Sequence, residues 1–378
     1  MPATPDFDLV IIGAGIQGAS IARQAGEAGL RILLLEQFPE PAMGTSSRSS
    51  KLIHGGLRYL ESLEFGLVYE CLSDRARLLL RYPDLVKLDR FYIPVYKQTR
   101  RSALVIRAGL MLYALLGGMR QANRFRTLQK AEWQELDGLD TNGLLTVFEY
   151  FDARTDDRLL TRRLLDEAQG YQAQVRYNAP LLACAVNADS VEVRYQDGAG
   201  TGDATAKYLV NAGGPWVNDV LDRCQPAQDS LAIDLVQGTH IELPGTLTRG
   251  VYYLESPVDG RAVFAIPWHG QILVGTTELI YAGDPANTRP TETEMQYLLS
   301  VYNHYFNNQV TQEQVINSWS GLRVLPKGTD NPFKRSRETI FLPGNAANPR
   351  VYSIYGGKLT SHYSMAMKLL SKIQAKGV

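Results

Sequence analysis

Cysteine is scarce in this chain of 378 residues: Cys71, Cys184 and Cys224 are odd in number, widely separated and without CxxC spacing. That excludes a disulfide framework and a zinc site, so no metal is expected and a reducing cytoplasm is the natural compartment. An excess of charge is also lacking, with 39 basic against 39 acidic side chains, and nothing marks nucleic acid as a partner. No secretory leader is expected, because the first apolar run is itself the strand of a nucleotide-binding unit. Long hydrophobic runs are missing too. The longest, Ala103 to Met119, is interrupted by Arg107 and contains Gly109, Gly117 and Gly118, too short and too polar to span a bilayer. It reads first as a core helix with charged ends in water. The alternative is a helix lying on an anionic membrane, edged by Arg100, Arg101, Arg107 and Arg120. Internal repeats and low-complexity tracts are absent, and no motif speaks to the oligomer. What remains, at 45% hydrophobic positions, is the composition of a globular protein with two intertwined domains.

The N-terminal unit is legible from its own chemistry. Phe7 to Ile12 is a short Val/Ile-rich run that predicts a buried parallel strand. Gly13-Ala14-Gly15-Ile16-Gln17-Gly18 follows, then small and apolar residues at helical spacing to Ala28. Gly13 permits the turn, Gly15 lets backbone approach a pyrophosphate, and Gly18 allows helix to pack on strand, with the helix N-terminus facing the anion. Arg31 to Leu35 is a second strand, ending at Glu36 where a carboxylate can hold ribose hydroxyls. FAD and NAD both satisfy this unit. The stretch from Gly44 to Leu60, rich in small hydroxyls and glycine and carrying Lys51, His54 and Arg58, points to a flavin and an anionic substrate instead of NAD alone.

Further along, Ser73 to Arg81 and Asp157 to Gln172 predict helices, and Phe91 to Tyr96 a strand leaving the nucleotide domain. Lys207 to Trp216 reads as a strand running into a Gly-rich turn that returns to the cofactor. Strand signals dominate from Leu235 to Val274 and suggest an antiparallel sheet capping the cofactor. Thr291 to Phe306 is a predicted helix with a capping box, Thr291 to Glu294. Val351 to Thr360 is again strand, double glycine and helix start.

Taken together, these segments resemble the FAD-dependent (aerobic) glycerol-3-phosphate dehydrogenases, within the D-amino-acid-oxidase-like flavoproteins. The resemblance runs over nearly the whole chain: Gly13 to Gly18, Ser49 to Glu61, Val210 to Val217, Ile266-Pro267-Trp268, Gly275-Thr276-Thr277, Ser320 to Arg323 and Gly356 to Thr360. The second of these is the most specific to the family. It implies an α/β fold: a Rossmann-like FAD-binding domain with a parallel sheet (residues 1–85, 151–230 and 315–378), and an antiparallel cap domain for substrate (86–150 and 231–314), as in glutathione reductase and D-amino-acid oxidase. It also implies noncovalent FAD, held by Gly13, Gly15, Ile16, Gln17, Gly18, Glu36, Gln37, Thr45, Ser46, Ser47, Ser50, Lys51, Leu52, His54, Gly55, Ala212, Gly213, Trp216, Gly321, Arg323, Gly357, Lys358, Leu359 and Thr360.

Oxidising a secondary alcohol requires a base for the hydroxyl proton and a clamp that holds the carbon against flavin N5. His54 and His240 are the base candidates at neutral pH. Arg58, Arg323 and Arg337 are the forked donors for a phosphate, Tyr59 adds a hydroxyl, and Lys358 a point charge. The implied reaction is oxidation of sn-glycerol 3-phosphate to dihydroxyacetone phosphate, or of a related anionic alcohol. Electrons pass to a quinone or another acceptor, and a cytoplasmic protein with peripheral contact at the inner membrane face fits that role. The alternatives are an oxidase or dehydrogenase of a 2-hydroxy acid or amino acid, and a flavin-binding protein without turnover. The chain departs from the family pattern at Ser361, His362 and Tyr363, where Thr, Tyr and Arg are usual, at Glu278 in place of Asp, and at Val324 in place of Pro. It ends at Val378 soon after the flavin motif, so the family's C-terminal helical domain is expected to be absent.

Overall fold

The computed structural model describes residues 4–198, 200–328, 339–345, 347 and 349–374. The chain opens with β1 (Phe7–Ile12), α1 (Ile16–Glu27) and β2 (Ile32–Leu35), then β3 (Leu52–Ile53), α2 (Phe65–Arg81), β4 (Val86–Tyr96), α3 (Ala103–Leu116), β5 (Phe125–Thr127) and β6 (Leu144–Thr155). Next come α4 (Asp157–Gly170), β7 (Gln174–Arg176), β8 (Leu181–Val186), β9 (Val191–Asp197), β10 (Gly200–Asn211), α5 (Val217–Leu221) and β11 (Cys224–Gln225). The last third holds β12 (Ile233–Leu243), β13 (Val251–Glu255), β14 (Ala262–Trp268), β15 (Gln271–Gly275), β16 (Leu279–Tyr281), α6 (Glu292–Tyr305), β17 (Asn317–Pro326), β18 (Ile340–Pro343), β19 (Val351–Tyr355) and α7 (His362–Gln374).

These strands form two sheets among the described residues. The first runs β11-β8-β9-β10-β1-β2-β7, with β19 also on β10 and β18 on β19. Its centre is parallel, β10 to β1, β1 to β2, β2 to β7 and β10 to β19. The uninterrupted apolar run of β1 follows from burial on both faces. Leu9 and Ile11 pack with Ile21 of α1, Leu160 and Leu164 of α4 and Leu369 of α7, whereas Val10 and Ile12 join Leu33, Leu35 and Leu209 on the other face. The second sheet runs β16-β12-β15-β14-β13-β4-β6-β3, with β17 on β12 and β5 on β6. It is mostly antiparallel, the β4–β13 pair being parallel, and α6 covers one face through Leu298, Val301 and Tyr302.

The expected mixed fold is the one observed. Two of its details differ from the sequence reading. α2 starts at Phe65 instead of Ser73; Gly66 and the exposed Tyr69 obscure a spacing, Val68, Leu72, Arg75 and Leu78, that is buried throughout. β4 begins at Val86 and lies wholly in the second sheet against β6. On the proposed domain division, β3 and β17 fall in the nucleotide segments, yet they hydrogen-bond into the second sheet.

Candidate active site

A cavity of about 430 Å³ is lined from both sheets. One end is built by the first turn. Gly13 has φ +104°, and a Cβ there would lie 2.6 Å from the Ala212 carbonyl oxygen, while a Cβ on Gly18 would lie 1.9 Å from the Gly13 oxygen. Only glycine lets strand, loop and helix approach so closely. The Ile16 amide donates to Ser46 Oγ (2.9 Å), which ties the loop of the second motif to the start of α1. Glu36 accepts from the amides of Ala14 (2.6 Å) and Phe38 (3.0 Å), and burial raises its pKa. It props the glycine loop as well as facing the cavity, a task its position in sequence did not reveal.

At the other end, His54 lies against the last motif: its amide and Thr360 Oγ1 are 3.2 Å apart. Lys358 Nζ stands 4.0 Å from the centre of the Tyr59 ring and is buried without a hydrogen-bond partner among the described residues. Arg58 flanks the same ring at 5.8 Å. Across the cavity, β12 and β17 place Val236 opposite Arg323 and Gly238 opposite Gly321. Arg323 Nη1 donates to Glu278 Oε1 (2.5 Å). His240 is 2% exposed, with Nε2 2.8 Å from Ser50 Oγ and its ring stacked on Trp319. Burial, with Lys51 and Arg323 nearby, pushes its pKa down to about 3.

The residues singled out in the sequence mostly converge. Gly13, Gly15, Ile16, Gln17, Glu36, Gln37, Thr45, Ser46, Ser50, Leu52, His54, Arg58 and Tyr59 line the cavity, as do Ala212, Gly213, Trp216, His240, Gly321, Arg323, Gly357, Lys358, Leu359 and Thr360. Gly18, Ser47, Lys51 and Gly55 are not in the wall. Lys51 is instead buried in an ion pair with Asp157 (2.6 Å) and donates to the Ser47 carbonyl (2.5 Å). The Gly55 amide points to Tyr113 Oη (2.9 Å) and Asp152 (3.2 Å), and a Cβ there would meet Tyr113 Oη at 2.4 Å. Arg337 lies outside the described residues. Wall residues that sequence reasoning missed include Arg48, Tyr253, Arg261 and Phe264. Tyr253 and Phe264 carry no local motif and reach the cavity through the pairing of β13 and β14, Arg261 enters from the turn before β14, and Arg48 lies within the Gly44 to Leu60 stretch, where the neighbouring hydroxyls, Lys51, His54 and Arg58 drew the reading instead. Asp152 did leave a signal, a carboxylate that with Glu149 interrupts the aromatic run of β6, and Arg75 on the buried face of α2 is its partner.

A glycine cradle at a helix start, a carboxylate after the second strand, and a second end lined by histidine and cations define a dinucleotide-dependent oxidoreductase. The chain belongs to the FAD dependent oxidoreductase family, which it matches over residues 8–367, and FAD is its cofactor. The cradle fits that group, since a Cβ at Gly13 would strike the Ala212 backbone and one at Gly15, in the cavity wall, would crowd Ser46 Oγ at 3.2 Å. It is 35% identical over 374 residues to the D-erythritol 1-phosphate dehydrogenase of Brucella abortus, covering 97% of this chain and 73% of that protein. To the aerobic glycerol-3-phosphate dehydrogenase of Escherichia coli it is 36% identical, covering 97% and 73%. The glycerol-3-phosphate dehydrogenase from Bacillus halodurans, solved with FAD, superposes with a TM-score of 0.76 at 27% identity over 98% of this chain and 64% of that one. This chain therefore spans about two thirds of that protein. The L-α-glycerophosphate oxidase of Mycoplasma pneumoniae shares the fold, with a TM-score of 0.77 at 18% identity over 97% of this chain and 94% of that one.

Proposed function

We propose that the protein oxidises the secondary hydroxyl of a phosphorylated polyol, glycerol 3-phosphate or a longer homologue such as erythritol 1-phosphate, and passes the electrons to a quinone. The observation that carries this reading is Lys358, a buried ammonium without a hydrogen-bond partner among the described residues, facing Tyr59 in the same cavity as His54 and Arg58. A buried cation left without a counter-ion costs free energy unless a ligand supplies one. Lys358 and Arg58 hold the phosphate, with Arg337 a further proposed contact, and Tyr59 orients it. Flavin, when bound, supplies the hydride acceptor.

His54 takes the hydroxyl proton. His240 is the weaker candidate, because a ring whose pKa is near 3 is poorly matched to accepting a proton at neutral pH; it serves instead to fix Ser50 in the cofactor wall. If His54 is the base, its ring is not bonded to the flavin. FAD should then leave with the supernatant on acid precipitation, and yellow protein pellets would count against both statements. Anaerobic addition of sn-glycerol 3-phosphate or erythritol 1-phosphate should bleach the holoenzyme, whereas bleaching by 2-hydroxy acids or amino acids alone would replace this reading. Ubiquinone analogues should reoxidise the bleached enzyme faster than oxygen.

Contact with a membrane surface is the second part of the proposal. No helix among the described residues is long and apolar enough to cross a membrane, but α3 buries only Leu110, Tyr113 and Ala114 and exposes Leu104, Val105, Met111 and Leu115. It carries Arg107 and no acidic residue, the pattern that suits an anionic interface. Cosedimentation with vesicles rich in anionic phospholipid, lost in Leu104→Glu and absent with neutral vesicles, is the expected result.

A further inference from the structure

The Arg323 guanidinium is held on several sides. Nη1 donates to Glu278 Oε1 at 2.5 Å and Nη2 to Thr276 Oγ1 at 3.5 Å. Gly238 lies beneath it, where a Cβ would come within 2.8 Å of Nη2. The turn carrying Glu278 is itself anchored, because Arg261 Nη1 donates to the Glu278 carbonyl oxygen (3.4 Å) and Arg261 is fixed by Asp259 (2.6 Å). The Glu278 side chain is 8% exposed and that of Arg323 24%, so solvent screens the pair weakly.

We propose that Glu278 is the specificity-determining residue of this cavity. Its carboxylate offsets the charge of Arg323, so this end accepts hydroxyl groups and rejects a second anion. The inference rests on the polyol-phosphate reading above. A hydroxyl both donates and accepts, and so can serve carboxylate and guanidinium together; a carboxylate or phosphate only accepts, and would face the like charge of the Glu278 carboxylate with no proton to donate to it. The phosphate therefore belongs at the Lys358 end, where the buried ammonium has no hydrogen-bond partner among the described residues. The uncharged tail of the carbon chain belongs between Arg323 and Glu278. The substrate class is a polyol monophosphate, and phosphorylated acids of the same length are excluded.

The test is Glu278→Gln in FAD-loaded enzyme, titrated with 3-phosphoglycerate, which carries phosphate and carboxylate together, and with glycerol 3-phosphate, following the flavin absorbance. The variant should bind 3-phosphoglycerate about tenfold more tightly than wild type, while KM for glycerol 3-phosphate rises and kcat changes less. Unchanged or weaker 3-phosphoglycerate binding would reduce Glu278 to a buttress and overturn the proposal. Glu278→Asp keeps the charge and should retain discrimination against 3-phosphoglycerate, so loss of discrimination there would also overturn it. Should the Gln variant fail to hold FAD, the Asp variant still decides. If no phosphorylated polyol reduces the wild-type enzyme, the functional reading fails separately, because the 3-phosphoglycerate titration does not depend on turnover.

Discussion

His54 and His240 are of the same residue type and line the same cavity, yet their surroundings separate them. His54 is partly exposed to the cavity beside Thr360, whereas His240 is shut between Ser50 and Trp319. His54→Asn should slow flavin reduction by roughly 10²- to 10⁴-fold, the usual contribution of a general base, without loss of bound FAD in rapid-mixing experiments. His240→Asn should cost much less in rate. Gly13→Ala should fold poorly or emerge colourless, since its Cβ strikes backbone and its φ of +104° disfavours any side chain; an absorbance ratio of flavin to protein equal to wild type would contradict this. The glycines and the Arg58, Lys358 and Arg323 set were legible in sequence because each sits in a compact local motif. The surroundings of Lys51 were less legible. It shares the motif, but its ammonium turns inward to Asp157, a partner 106 residues away that no spacing reveals.

At the scale of elements, the joint between α1 and α7 has a pH dependence. His362 Nδ1 lies 2.9 Å from Ser20 Oγ, which in turn donates to the His362 carbonyl oxygen (3.1 Å). Burial, with Arg23 near, pushes the His362 pKa down to about 3, as burial also does for His240. The unfolded chain therefore binds more protons than the folded one below pH 6.5. Stability is full above that pH and declines as pH falls toward 3, by at most about 1.4 kcal/mol per pH unit for each ring. Thermal unfolding between pH 7.5 and 5 should show a falling midpoint, and His362→Gln should flatten the slope; equal slopes would refute the assignment. A second element-scale pair is Arg75 of α2 and Asp152 of β6, both 2% exposed. Arg75→Met leaves Asp152 unpaired beneath Gly55 and should cost about 3–5 kcal/mol in denaturant unfolding. Helix α6 was readable in advance through its cap. Thr291 Oγ1 accepts from the Glu294 amide (3.3 Å) and Glu294 Oε2 from the Thr291 amide (3.0 Å), a signal written within four residues. The early start of α2 was not, because tertiary burial decides it.

At the scale of the molecule, sequence reading gave the two layers and their order but not the seam. Strong periodicity and turn glycines identify β1, α1, β2, β10 and β19 individually, whereas the attachment of β3 and β17 to the second sheet depends on partners 75 or more residues distant. That seam has a practical meaning. The first sheet takes strands from before residue 36, from 174 to 225 and after residue 339, and the second takes strands from 52 to 155 and from 233 to 326. A single protease nick anywhere from 60 to 310 thus leaves neither fragment with a whole sheet. Nicked enzyme should travel as one particle in gel filtration, keep its colour, and fall apart only in denaturant, so that the yellow cofactor works as a clasp for a chain already cut.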